Sequence, residues 1–121
     1  MNDSELKART IKFAHSCVKL AMEFPNSKLG QHIEGQLIRC ATSVAANYRA
    51  ACLAQSSKSF VSKLSIVIEE VDESNFWIVF AKEESLINPP SKFDALIQES
   101  KELTAIFIAS RKTLQSRINN Q

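Results

Sequence analysis

The sequence predicts an all-α fold: an up-and-down antiparallel four-helix bundle that forms a ring. Three observations carry this. Only two Gly and three Pro occur in 121 residues, too few turn residues for an all-β chain. Three breaks divide the chain into four blocks of roughly 20 to 28 residues, each about 30–40 Å long as a helix. Each block carries an apolar stripe at helical spacing.

The first helix is expected over about residues 4–24, with Asp3 and Ser4 as candidate caps and Pro25-Asn26-Ser27 as its stop. Leu6, Phe13, Cys17, Leu20 and Phe24 form its stripe. The second is expected over about 28–54, with Ile33, Leu37, Val44, Tyr48 and Ala51 on one face. The third, over about 58–84, opens within Ser56-Ser57-Lys58-Ser59, whose hydroxyls can accept first-turn N–H groups. Its stripe is Leu64, Ile68, Val71 and Ile78, with Phe60 and Val67 beside them. Asn88-Pro89-Pro90 ends it. The fourth is expected over about 91–117, with Ser91 and Asp94 in capping-box spacing and Phe93, Leu96, Leu103, Phe107 and Leu114 aligned. Helices of similar length on short connections pack antiparallel, and residues 1–121 are long enough for one domain only.

Composition excludes more than it selects. Fifteen basic residues nearly balance thirteen acidic ones, a weak electrostatic case for nucleic acid. The three cysteines, Cys17, Cys40 and Cys52, form no CxxC and read as small buried hydrophobes in a reducing compartment. No charged-then-apolar leader opens the chain and no apolar run reaches membrane-spanning length, so a cytoplasmic location without membrane partners is expected.

The helices hold more apolar surface than one core uses. Phe76-Trp77-Ile78-Val79-Phe80 runs right round its helix, placing Phe76 and Phe80 nearly opposite Leu64 and Ile78. Ile97 and Ile108 on the fourth helix, and Ile11, Val18 and Met22 on the first, form minor stripes. Phe76, Trp77, Phe80 and Ile108 are therefore candidate oligomer-interface residues, with self-association favoured over a partner protein or a wider core.

Candidate chemistry is sparse. Glu69-Glu70-Val71-Asp72-Glu73 is the densest charge cluster, but neither His15 nor His32 stands in Glu-x-x-His spacing, so metal ligation is disfavoured. Arg9 and His15 sit six apart, loosely as in small helical ribonucleases, where His would act on a 2′-hydroxyl and Arg would steady the phosphate. No Gly-rich phosphate loop or nucleophile constellation appears, and neither catalytic residue, cofactor nor metal is expected. Lys101, Arg111, Lys112 and Arg117 give the fourth helix a positive end, which suits its dipole and would also serve as candidate nucleic-acid contacts. Asn47, Tyr48 and Arg49, set among alanines, read as a polar structural network with Glu70 and Glu73 as expected partners.

Several segments together resemble a known family. They are Gln36-Leu37-Ile38-Arg39 through Ser43-Val44-Ala45-Ala46-Asn47-Tyr48-Arg49-Ala50-Ala51-Cys52; Ser57-Lys58-Ser59-Phe60; Lys63-Leu64; and Glu70-Val71-Asp72-Glu73-Ser74 with Trp77. The tail from Glu102-Leu103 through Ile106 and Ser110-Arg111 to Thr113 completes the pattern as one continuous stretch. In order, and across residues 6 to 117, these resemble the four-helix-bundle proteins first noticed as products of intervening sequences in bacterial 23S rRNA genes. The resemblance implies an up-and-down bundle assembling as a ring-shaped homopentamer, and it implies no known activity. A similar branch, the accessory protein of diversity-generating retroelements, forms such a ring and binds a reverse transcriptase and nucleic acid through a basic surface. A co-encoded protein or nucleic acid is thus an implied partner. Where the family often reads Asn-Tyr-Arg-Glu-Ala-Cys-Arg-Ala-Arg-Ser, this chain has Ala50, Leu53 and Gln55. Two cations fewer per subunit weakens the attraction for phosphate.

Overall fold

The structure, a computed structural model, describes residues 1–120; Gln121, the last residue of the expected domain, lies outside the described residues. Four α-helices and one short 3-10 turn make up its regular structure: α1 (Asp3–Ala21), α2 (Lys28–Cys52), α3 (Ser57–Glu83), the 3-10 turn Pro90–Phe93, and α4 (Asp94–Asn119). Expected and observed boundaries agree to within three residues.

The caps explain the starts. Ser27 accepts from Gly30 N–H at 3.0 Å and Ser56 from Ser59 N–H at 3.1 Å, each satisfying an orphan donor of a first turn. Two expected caps are replaced. Asn2, not Asp3 or Ser4, caps α1 by accepting from Glu5 N–H at 2.8 Å. The Ser91–Asp94 capping box does not form: Pro90–Phe93 turns first, α4 has no side-chain cap, and Asp94 instead pairs with Lys82 across to α3. Prolines at the start of a turn lose no helical hydrogen bond, so the chain tightens there before α4 begins.

α3 ends in a Schellman motif. Leu86 N–H donates to the Ala81 carbonyl at 3.1 Å and Ser85 N–H to that of Lys82 at 3.0 Å, with Ser85 left-handed at φ 55°.

The stripes become one core. Every member of the α1 and α2 stripes is buried, as are Leu64, Val67, Val71 and Ile78 of α3, Phe93 of the 3-10 turn, and Leu103 and Phe107 of α4. Leu96, Leu114, Ile68 and Phe60 sit half-buried at its margin. Cys17 and Cys40 are fully buried free thiols, whereas Cys52 is only half-buried. Burial pushes all three thiols up, which keeps them neutral.

Neighbouring helices pack in chain order, and the α1–α4 seam is the loosest of the helix pairs that touch. Arg9 closes that open seam with a fork to Glu99, Nε donating to Oε2 at 2.8 Å and Nη2 to Oε1 at 2.7 Å, and with a 3.1 Å bond to Glu102. Its guanidinium is held well above its ordinary pKa by those carboxylates. No helix among the described residues is long and apolar enough to cross a membrane.

Candidate interaction surfaces

The residues expected to form one polar network lie in three places. Asn47 turns back on its own helix, donating to the Ser43 carbonyl at 2.9 Å and to Ser43 Oγ at 2.7 Å. Tyr48 is buried against Phe107, ring centroids 5.2 Å apart, and its hydroxyl donates to Asp3 of α1 at 3.4 Å. Burial raises the phenol above its ordinary pKa, so it stays a donor. Arg49 is exposed and reaches neither Glu70 nor Glu73.

The partner of those carboxylates is Arg39, which bonds Glu73 and lies 3.5 Å from Glu70 Oε2. Trp77 Nε1 also donates to Glu73 at 3.2 Å. The two acids therefore shift oppositely. Hydrogen bonding by Arg39 lowers Glu73, while desolvation raises Glu70, whose Oε2 is buried without a hydrogen bond. Sequence spacing favoured Arg49 because it sits in the distinctive alanine run. Arg39 lies ten residues earlier, on the flank of α2 that faces α3, and only the packing of the two helices singles it out.

Outside the core the aromatic run divides. Phe76 is 53% exposed, whereas Trp77 is half-buried and packs edge-on against His32 of α2 with centroids 5.7 Å apart. Phe80 is half-buried beside Phe76, centroids 5.9 Å apart. Glu69, Phe76 and Glu83 recur every seven residues and Asp72, Phe76 and Phe80 every four, so they share the outer face of α3.

A second apolar surface lies between α1 and α2. Ile11, Ala14 and Val18 from α1 and Ala45 and Ala46 from α2 floor a groove of about 690 Å³. Lys7, His15, Thr42 and Arg49 stand on its rim, and no carboxylate among the described residues lines it. Small side chains leave the space: three of the five floor residues are alanine. The sequence flagged Ile11 and Val18 but not the alanines, which look like ordinary helix formers until two helices bring them together.

The four cations of α4 do not form one patch. Lys101 and Lys112 are exposed on the same outer face as Ile108, itself 42% exposed. Arg111 is half-buried and donates to Ser65 of α3 at 3.3 Å. Arg117 lies on another flank, beside the 390 Å³ cavity that Met1, Asp3 and Tyr48 also line. Arg9 and His15 also part company: Arg9 is engaged with α4, and His15 faces the α1–α2 groove.

Comparison with known proteins matches this arrangement to one family. A crystal structure from Bacteroides thetaiotaomicron, described as a protein of unknown function from the S23 ribosomal protein family, superimposes with a TM-score of 0.80 at 27% identity. The match covers 88% of this chain and 97% of that one. A comparison with curated proteins finds no match. The family model for the 23S rRNA-intervening sequence protein matches residues 2–109, and the chain belongs to that family.

Proposed function

We propose that this chain is a non-enzymatic, cytoplasmic building block: an up-and-down antiparallel bundle that closes with copies of itself into a ring and serves as scaffold or adaptor. Contacts between helices support the antiparallel order. Between α2 and α3, His32 meets Trp77 and Cys40 meets Ser74; between α3 and α4, Lys82 meets Asp94, Asn75 meets Ser100 and Ser65 meets Arg111. In each pair the numbers run in opposite directions.

The observation that carries self-association is large apolar side chains left on outer faces. Phe76 is 53% exposed, Ile11 49%, Met22 67% and Leu53 76%. Burying one such side chain contributes about 1.5–3 kcal/mol, so a few anchors reach the roughly 8 kcal/mol of a micromolar contact only if association costs are modest. A pentamer is the stoichiometry the family resemblance implies. Light scattering tests the reading directly: wild type should run as a multiple of 13.5 kDa, and a monomer at tens of micromolar would refute it.

Lys101 and Lys112 favour a second reading, an accessory protein that binds nucleic acid. Both are exposed and have no carboxylate partner among the described residues. Against it, Leu53 and Gln55 are exposed where the family often has arginine. A gel-shift series with RNA and DNA across salt concentrations separates the readings. Binding that falls steeply with salt and weakens in Lys101→Ala/Lys112→Ala supports the accessory role. No shift at low salt supports the scaffold. Ribonuclease activity would require cleavage lost in His15→Ala.

A further inference from the structure

The two outer apolar surfaces differ in kind. The face of α3 is a ridge: Phe76 and Phe80 stand one turn apart, about 6 Å along the helix axis. Its charges are carboxylates, Glu69 and Asp72 before the aromatics and Glu83 after them, all exposed. Glu73, beside them, is already engaged by Arg39. No basic residue follows Lys63 on this helix until Lys82, which pairs with Asp94 on the α4 side.

The α1–α2 surface is the reverse. It is a trough with three alanines in its floor, edged by Lys7, His15, Arg49 and the neutral Thr42. Lys7 and Arg49 stand towards one end, where α1 begins and α2 finishes, and His15 stands two turns along α1, about 12 Å away. Bulk faces space, and acid faces base. No residue belongs to both surfaces, so joining them makes a head-to-tail contact rather than a self-complementary one.

We infer that the Phe76–Phe80 ridge of one copy seats in the α1–α2 groove of the next, with Glu69 and Asp72 facing Lys7 and Arg49. This rests on the self-association proposed above and specifies its polarity. Phe76 fills the space over Ala45 and Ala46, and the rim charges set register and exclude a ridge-to-ridge pairing, which would bring six exposed carboxylates together. Each copy then offers one donor ridge and one acceptor groove, the arrangement from which closed rings are built.

Complementary variants test this. Ala46→Glu blocks the groove and leaves the ridge intact; Phe76→Asp blocks the ridge and leaves the groove intact. Both positions are exposed, and circular dichroism should show unchanged helicity. Each variant alone should run at the monomer mass of 13.5 kDa, and an equimolar mixture should run at twice that, because one good ridge and one good groove remain. Separately, Arg49→Glu should weaken assembly at least tenfold, and adding Asp72→Arg should recover most of it. If wild type assembles while Ala46→Glu also assembles fully, or if the mixture stays monomeric, the ridge-in-groove pairing is wrong although self-association stands. A monomeric wild type would overturn the self-association reading itself.

Discussion

Gly30→Ala is a sharp test of how the chain enters α2. A Cβ built at Gly30 would stand 2.1 Å from the Pro25 carbonyl oxygen and 3.0 Å from Ser27 Oγ. The first is nearly 1 Å closer than real Cβ contacts come, and the obstacle is backbone rather than a movable side chain. Relief requires α2 to shift away from the Pro25-Asn26-Ser27 turn, which also strains the Ser27 cap on Gly30 N–H. Overpacking of this kind costs about 1–3 kcal/mol and a weakened cap about 1 kcal/mol. Alanine recovers up to about 1 kcal/mol of helix propensity over glycine. The net expectation is a loss of about 1–3 kcal/mol. Gly35 is the internal control, lying on the same helix with nothing within 4 Å of an added Cβ. Gly35→Ala should stabilise by about 0.5–1 kcal/mol. Thermal unfolding at one fixed protein concentration, needed because assembly shifts apparent stability, should move the two variants in opposite directions. Each kcal/mol corresponds to about 3–6 °C in a domain of this size. Equal stability of Gly30→Ala and Gly35→Ala would refute the claim that the Pro25–Gly30 approach fixes the start of α2.

Phe107→Ala should cost about 3–5 kcal/mol in urea unfolding, since the ring is fully buried against Tyr48. Tyr48→Phe, which keeps the buried ring and loses the hydroxyl's long bond to Asp3, should cost about 1 kcal/mol or less by the same measurement. The Arg39 cluster makes a prediction about pH. Glu73 is lowered in the folded state, so its contribution is present above the ordinary carboxylate range and is lost as pH falls through it; Glu73→Gln should remove that gain at neutral pH. Glu70 is raised, so its ionisation opposes folding as pH rises from below the ordinary carboxylate range to neutrality, and Glu70→Gln should leave neutral-pH stability unchanged or higher. Unfolding midpoints at both pH values check the opposite signs. Ser85→Gly should raise stability by about 0.5 kcal/mol, because the left-handed backbone at φ 55° strains a side chain that glycine lacks; a fall in the melting temperature would count against it.

The sequence by itself determined the helices, their stripes and the excess apolar surface. These follow from local rules: a 3.6-residue period, Pro and Ser at the breaks, and a run of five apolar residues that one core face cannot absorb. Those rules place Tyr48 inward and Phe76 outward, and both stand so. Tertiary structure decided what meets what. It gave Glu70 and Glu73 to Arg39 rather than Arg49, set Asp94 against Lys82 instead of a helix cap, and split the cations of α4, with Lys101 and Lys112 on one outer face, Arg111 bonded to Ser65 and Arg117 on another flank. It also made a groove out of Ala14, Ala45 and Ala46, none of which signals anything alone. Periodicity fixes a side chain's angle about its own helix axis. Its neighbours depend on the rotation and axial register of the adjacent helix, which the packed core sets and no single helix encodes.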